Sequence, residues 1–101
     1  MISILFKLGE QKDVGLNVSS KDGSNFSFES VTYEYKDRTG TVISEGEAQF
    51  DNNFKKTFVL LSPTTGGNVE FKMKMRPLLA NGEIDSSKNI ETIIESIPIR
   101  M

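Results

Sequence analysis

Apolar residues recur at every second position between short turn signals along almost the whole chain. No stretch of ten or more residues keeps a helical period unbroken by Gly, Pro or a β-branched cluster. Ile2, Ile4, Phe6 and Leu8 alternate with mostly polar neighbours, Gly9 to Asp13 reads as a turn, and Val14, Leu16 and Val18 alternate again up to Asp22-Gly23. In the next segment Phe26 and Phe28 share one parity, whereas Val31, Tyr33 and Tyr35 share the other, so the apolar side changes across Glu29-Ser30. A β-bulge there, or a strand that changes sheets, accounts for the slip. Asp37-Arg38-Thr39-Gly40 fits a type I turn and predicts a hairpin over residues 26–50. Its second arm places Val42, Ala48 and Phe50 on one face, with Gly46 at a bulge or close approach.

After Asp51-Asn52-Asn53, residues 54–61 predict a strand with Phe54, Phe58 and Leu60 in register. Ser62 to Asn68 must be a loop, with Gly66-Gly67 reading as a tight hairpin. Val69, Phe71, Met73 and Met75, separated by Glu70, Lys72 and Lys74, give the clearest half-buried strand. Asn81-Gly82 marks a turn, and a last strand puts Ile93, Ile97, Ile99 and Met101 on one side. Ile90, Ile93, Ile94 and Ile97 also match a helical face, but the β-branched content and Pro98 favour strand, with Pro98 on an edge or at a bulge. Seven such strands in 101 residues predict one all-β domain over 1–101, an immunoglobulin-like antiparallel β-sandwich, with a small β-barrel as the competitor.

Composition removes function classes rather than adding them. The chain has no Cys, so disulfides, thiolate zinc sites and thiol nucleophiles are excluded, and no His, so Ser-His-Asp triads and imidazole metal sites go too. No apolar run approaches the ~20 residues that cross a bilayer as a helix, and no membrane partner is expected. The opening segment lacks a basic start and a small-residue cleavage pattern, so no signal peptide is expected.

Carboxylates are the remaining acid/base groups. Glu45 and Glu47 share a face two residues apart, but the solvated outer face of a hairpin demands the same residues, and a chain without Trp has little material for a sugar cleft. Asp51-Asn52-Asn53 and Asp85 lie in turns that favour Asp and Asn for their own backbone hydrogen bonds, and their spacing matches no EF-hand loop. Gly66-Gly67 is followed by neither a helix start nor a Lys-Ser/Thr pair, so no phosphate loop is read there. No enzymatic activity and no cofactor are expected.

Charge is uneven although the net is only −2. Residues 52–76 hold Lys55, Lys56, Lys72, Lys74 and Arg76 against Glu70, a balance of +4. Residues 27–51 hold Glu29, Glu34, Asp37, Glu45, Glu47 and Asp51 against Lys36 and Arg38, a balance of −4. Opposite patches on one small domain suit head-to-tail association of copies. Solvated strand faces explain the same charges, and no exposed aromatics interleave the basic residues as nucleic-acid binding would require. Tyr33 and Tyr35 share a strand face and form either a stacking platform or core residues with hydroxyls at the rim.

The succession Leu16-x-Val18, Asp22-Gly23, Phe26-x-Phe28, Tyr33-x-Tyr35, Asp37 before Gly40, Glu45-Gly46-Glu47-Ala48, Val69-Glu70-Phe71, Asn81-Gly82-Glu83 and Ile97-Pro98-Ile99-Arg100-Met101 covers nearly the whole chain. It resembles the small immunoglobulin-like proteins that tailed bacteriophages and prophages encode among their virion and tail genes. Gly67-Asn68-Val69 departs from the Gly-Tyr that often enters the penultimate strand of such domains. The resemblance implies a non-enzymatic structural or accessory component, in the virion or the host cytoplasm, that works through protein partners. A small carbohydrate- or ligand-binding module and a protein inhibitor of a host complex are the alternatives.

Overall fold

In the computed structural model the described residues, 4–7, 9–20 and 23–101, form two packed β-sheets and no helix. The eight strands among them are β1 (Ile4–Leu5), β2 (Lys12–Asn17), β3 (Phe26–Asp37), β4 (Val42–Glu47), β5 (Gln49–Asp51), β6 (Lys56–Leu61), β7 (Gly67–Pro77) and β8 (Glu91–Arg100). The larger sheet has the order β1-β8-β7-β3-β4, antiparallel except for the short parallel β1, and the smaller has the order β2-β6-β5. The all-β sandwich expected from the alternation is what forms. At ~3.3 Å per residue the twelve residues of β3 reach about 40 Å, close to the 46 Å long axis of the molecule. Ile2, Leu8 and Asp22 of the expected first strand and turn lie outside the described residues, as does the side chain of Ile4.

The parity slip in the third strand is a register shift between Phe28 and Ser30 against β7. The extra residue lets Phe28 and Val31 both face inward. The backbone N–H of Phe28 beside the shift is held by the Asn52 side-chain oxygen at 2.7 Å, a partner supplied from the β5–β6 turn. At the other end of β3, Asp37 builds its turn as expected. Its Oδ1 accepts from the Thr39 N–H, the Thr39 hydroxyl and the Thr41 N–H, while Gly40 takes φ 89° and donates to the Asp37 carbonyl.

Three expectations are corrected. The second arm of the hairpin is not one strand: β4 pairs with β3 in the large sheet, then the chain crosses at Ala48 and β5 pairs with β6 in the small one. Val42 is therefore exposed rather than sharing a buried face with Ala48, and the register shift opposite β4 falls at Tyr35/Lys36 rather than at Gly46. The parity of β6 is the reverse of that expected, for Thr57, Val59 and Leu61 face the core while Phe54 and Leu60 face water. The decisive contact is the Thr57 hydroxyl, which donates to the Gln49 carbonyl at 2.8 Å and so can be buried without an orphaned polar group. Gly66-Gly67 is not a hairpin but the end of a crossover from β6 in one sheet to β7 in the other. Gly67 is required by close approach: a Cβ there would lie 1.9 Å from the Lys36 carbonyl oxygen.

The core lies between Val14, Val59 and Leu61 of the small sheet and Val31, Tyr35, Val69, Phe71, Met73, Met75, Ile97 and Ile99 of the large one. Three strands do not cover five. Along the side where β2 edges the small sheet and β8 runs on beyond its short pairing with β1 at Ile99 and Arg100, a cleft of about 660 Å³ stays open, with Leu16, Phe26, Met73, Met75 and Ile93 among its apolar lining and Glu91 and Glu95 also contributing to its wall.

Candidate functional site

Because β3, β4, β7 and β8 pair in register, the outward side chains of the large sheet stand in rows across the strands. One row reads Glu47, Thr32, Lys72, Ile94, and the next Glu45, Glu34, Glu70, Ser96. Glu45 and Glu47 are therefore on an open, flat face. Directly opposite them stand Glu34 and Thr32, with Glu70 and Lys72 one strand further on, rather than a cleft wall. Lys74 stands beside Ser30 and Thr92 on the same face, and Arg76 is ion-paired through its Nε to Glu29.

The five basic residues do not gather. Lys72 and Lys74 point outward from β7, whereas Lys56 points outward from β6 in the opposite sheet, and the Ser62–Gly66 crossover is what separates them. Lys55 holds its Nζ 5.3 Å from the Phe26 ring centroid, near the cleft. The +4 region is thus divided between two faces.

Tyr33 and Tyr35 face inward from β3. Tyr35 is 2% exposed and donates its hydroxyl to the Thr65 carbonyl, pinning the β6–β7 crossover. Tyr33 is half-buried, its hydroxyl 3.0 Å from that of Ser44. Together they are core residues with hydroxyls at the rim, and Tyr35 offers no stacking surface to a ligand.

The turn carboxylates are engaged locally. Asp51 Oδ1 accepts from the Asn53 and Phe54 N–H groups, and Asp85 Oδ1 from the N–H and hydroxyl of Ser87. These bonds stabilise the charged form, so the Ser87 hydroxyl and then its N–H hold Asp85 below the ordinary carboxylate value, as the Thr39 hydroxyl and then the Thr41 N–H do for Asp37. Among the described residues, no group of three acidic side chains converges in a way that could hold a metal ion.

The surface that the sequence did not single out is the outer face of the small sheet. Phe54 is 74% and Leu60 56% exposed, with Phe58 half-buried between them. Lys56 lies between the two rings, its Nζ 5.9 Å from the Phe54 centroid and 5.8 Å from that of Phe58. Gly15 on β2 stands directly opposite Phe58. Its missing side chain leaves a depression of about 260 Å³ lined by Asp13, Asn17, Lys56 and Phe58. A Cβ at Gly15 would meet the Thr57 carbonyl oxygen at 2.3 Å, so the strand approach itself requires glycine. The available signal was that residues 58–61 are apolar on both parities, which one buried face alone does not need.

No family model, curated protein or solved structure matches the chain. What its surfaces can do follows from their own chemistry.

Proposed function

We propose that this chain is a non-catalytic interaction module, a structural or accessory component of a phage or prophage virion or tail assembly, docking through its sheet faces. The observation that supports docking is the run Phe54, Phe58 and Leu60 along the β5–β6 turn and the outer side of β6, with Phe54 and Leu60 held in water and Phe58 half-buried between them, while the core is filled without them. Contiguous exposed apolar side chains rimmed by polar ones are the usual mark of a protein contact. The assignment to a phage particle rests on the sequence resemblance.

The test is made on particles induced from a strain encoding the chain. Mass spectrometry should find the chain in purified particles, and Leu60→Ser, which leaves the buried side of β6 unchanged, should lower its incorporation. Absence from particles overturns the virion assignment, and unchanged incorporation of Leu60→Ser overturns the docking face. A second reading, a small-ligand module, is supported by the apolar cleft between β2 and β8. It predicts that a bound apolar ligand perturbs the methyl resonances of Met73 and Met75, and not the hydroxyl-bearing rings of Tyr33 and Tyr35.

A further inference from the structure

The outer face of the small sheet is self-complementary. Its middle row is Gly15 opposite Phe58; on one side lies Asp13 opposite Leu60, and on the other Asn17 opposite Lys56. A two-fold axis lying in the face and running along the middle row lays the Asp13–Leu60 row of one copy over the Asn17–Lys56 row of the other. Each Leu60 then packs on the partner's Lys56 stem. The ammonium of that lysine needs to reach sideways by only one strand spacing, ~4.8 Å, to meet Asp13 across the interface. The two Phe58 rings meet at the axis, beside the space that Gly15 leaves. Every contact off the axis occurs twice, which is the property of an isologous interface. Lys56 also stands opposite Asp51 of its own copy, but Asp51 Oδ1 is engaged by the Asn53 and Phe54 N–H groups, and neither Asp13 nor Lys56 forms an ion pair among the described residues, so both charges are open to a partner.

We infer that two copies of the chain associate through this face, with Asp13 and Lys56 as the reciprocal charge pair and Phe58 and Leu60 as the apolar centre. The head-to-tail mode suggested by the uneven charge along the sequence is replaced by a symmetric one, because the basic residues are split between faces. The small sheet has two strands of 6 residues and one of 3. Such a face measures only about 20 by 15 Å, so the dimer is a weak, concentration-dependent one. The inference rests on the docking face proposed above and not on the virion assignment.

Sedimentation velocity from micromolar to about 1 mM protein at low salt should show a concentration-dependent dimer. Asp13→Lys and Lys56→Asp should each weaken it by at least about tenfold, since each reversal makes two like-charge contacts. An equimolar mixture of the two variants should restore it. In the mixed dimer the introduced lysine of one variant meets the introduced aspartate of the other, and the remaining native Asp13 and Lys56 still meet each other. Both positions are exposed strand sites, and circular dichroism confirms that each variant folds. A wild-type chain that stays monomeric, single reversals that leave the dimer unchanged, or a mixture that fails to recover it overturns the inference. If the wild type is monomeric while Leu60→Ser still loses incorporation into particles, the dimer fails and the docking face stands; if incorporation is also normal, both fail.

Discussion

Glu45 occupies the worst electrostatic position on the large sheet, and reversing its charge should stabilise the domain. It stands directly opposite Glu34 on β3 and two residues from Glu47 on its own strand, while Glu34 is in turn opposite Glu70. Glu34 is relieved by Lys36 at 3.2 Å, but no cation is paired with Glu45 among the described residues. Two unit charges about 6 Å apart in water repel by roughly 0.7 kcal/mol before screening, and salt near 0.1 M reduces that to roughly 0.4. Glu45→Lys converts two repulsions into two attractions, a change of about four such terms. Side-chain entropy lost in holding the new pairs offsets part of it, leaving about 1 kcal/mol.

For a domain of this size that is a rise in Tm of roughly 5 °C. Glu45→Gln, which removes the repulsion without adding attraction, should give about half. The assay is thermal unfolding of wild type and both variants across a salt series. The gain should grow as salt is lowered and almost vanish near 1 M, where the Debye length is only about 3 Å. A Glu45→Lys variant that melts at or below the wild-type temperature at low salt, or whose gain ignores salt, would refute the row arrangement of the outer face.

Two glycines on different strands of the large sheet should respond oppositely to alanine. Gly67→Ala forces a carbon against the Lys36 carbonyl and should lose about 2–3 kcal/mol in urea unfolding. Gly46→Ala, whose nearest neighbour would be Tyr33 Cε1 at 3.6 Å, should gain roughly 0.5 kcal/mol by restricting the unfolded chain. Tyr35→Phe deletes the hydroxyl that binds the Thr65 carbonyl and should lose about 1 kcal/mol, with faster amide exchange at Thr65, whose N–H lies 3.4 Å from the same hydroxyl. Asp37 is held below its ordinary value of 3.8, first by the Thr39 hydroxyl and then by the Thr41 N–H, so its contribution to stability is present above that value and is lost as pH falls through the lower folded one. Asp37→Ala should accordingly be less stable than wild type at neutral pH, and the gap should close on acidification in pH-dependent melts; a gap that widens in acid would contradict the turn geometry.

The elements legible in the sequence were those fixed by neighbours in the chain. Alternation located β2, β3, β7 and β8, and the change of parity across Glu29-Ser30 located the bulge, because side-chain direction follows residue number along a pleated strand. What alternation does not encode is the sheet to which a strand belongs. The arm after Gly40 reads as one extended segment, yet Ala48 carries it from one sheet to the other, and the connection after Leu61 crosses back. Charges adjacent in sequence, Lys55-Lys56 and Lys72-x-Lys74, therefore end on different faces, and a +4 region legible on paper has no counterpart on the surface. The parity of β6 was hidden for a different reason. Phe58 and Leu60 compete with Val59 and Leu61 for the interior, and the choice falls to Thr57, whose hydroxyl finds the Gln49 carbonyl only once β5 has crossed over. A strand apolar on both sides in a sheet with one covered face must leave large side chains in water. That leftover hydrophobicity, Phe54 and Phe58 around Lys56 with Leu60 beyond them, is why the small sheet rather than the charged face of the large one is the surface on which a partner should be sought.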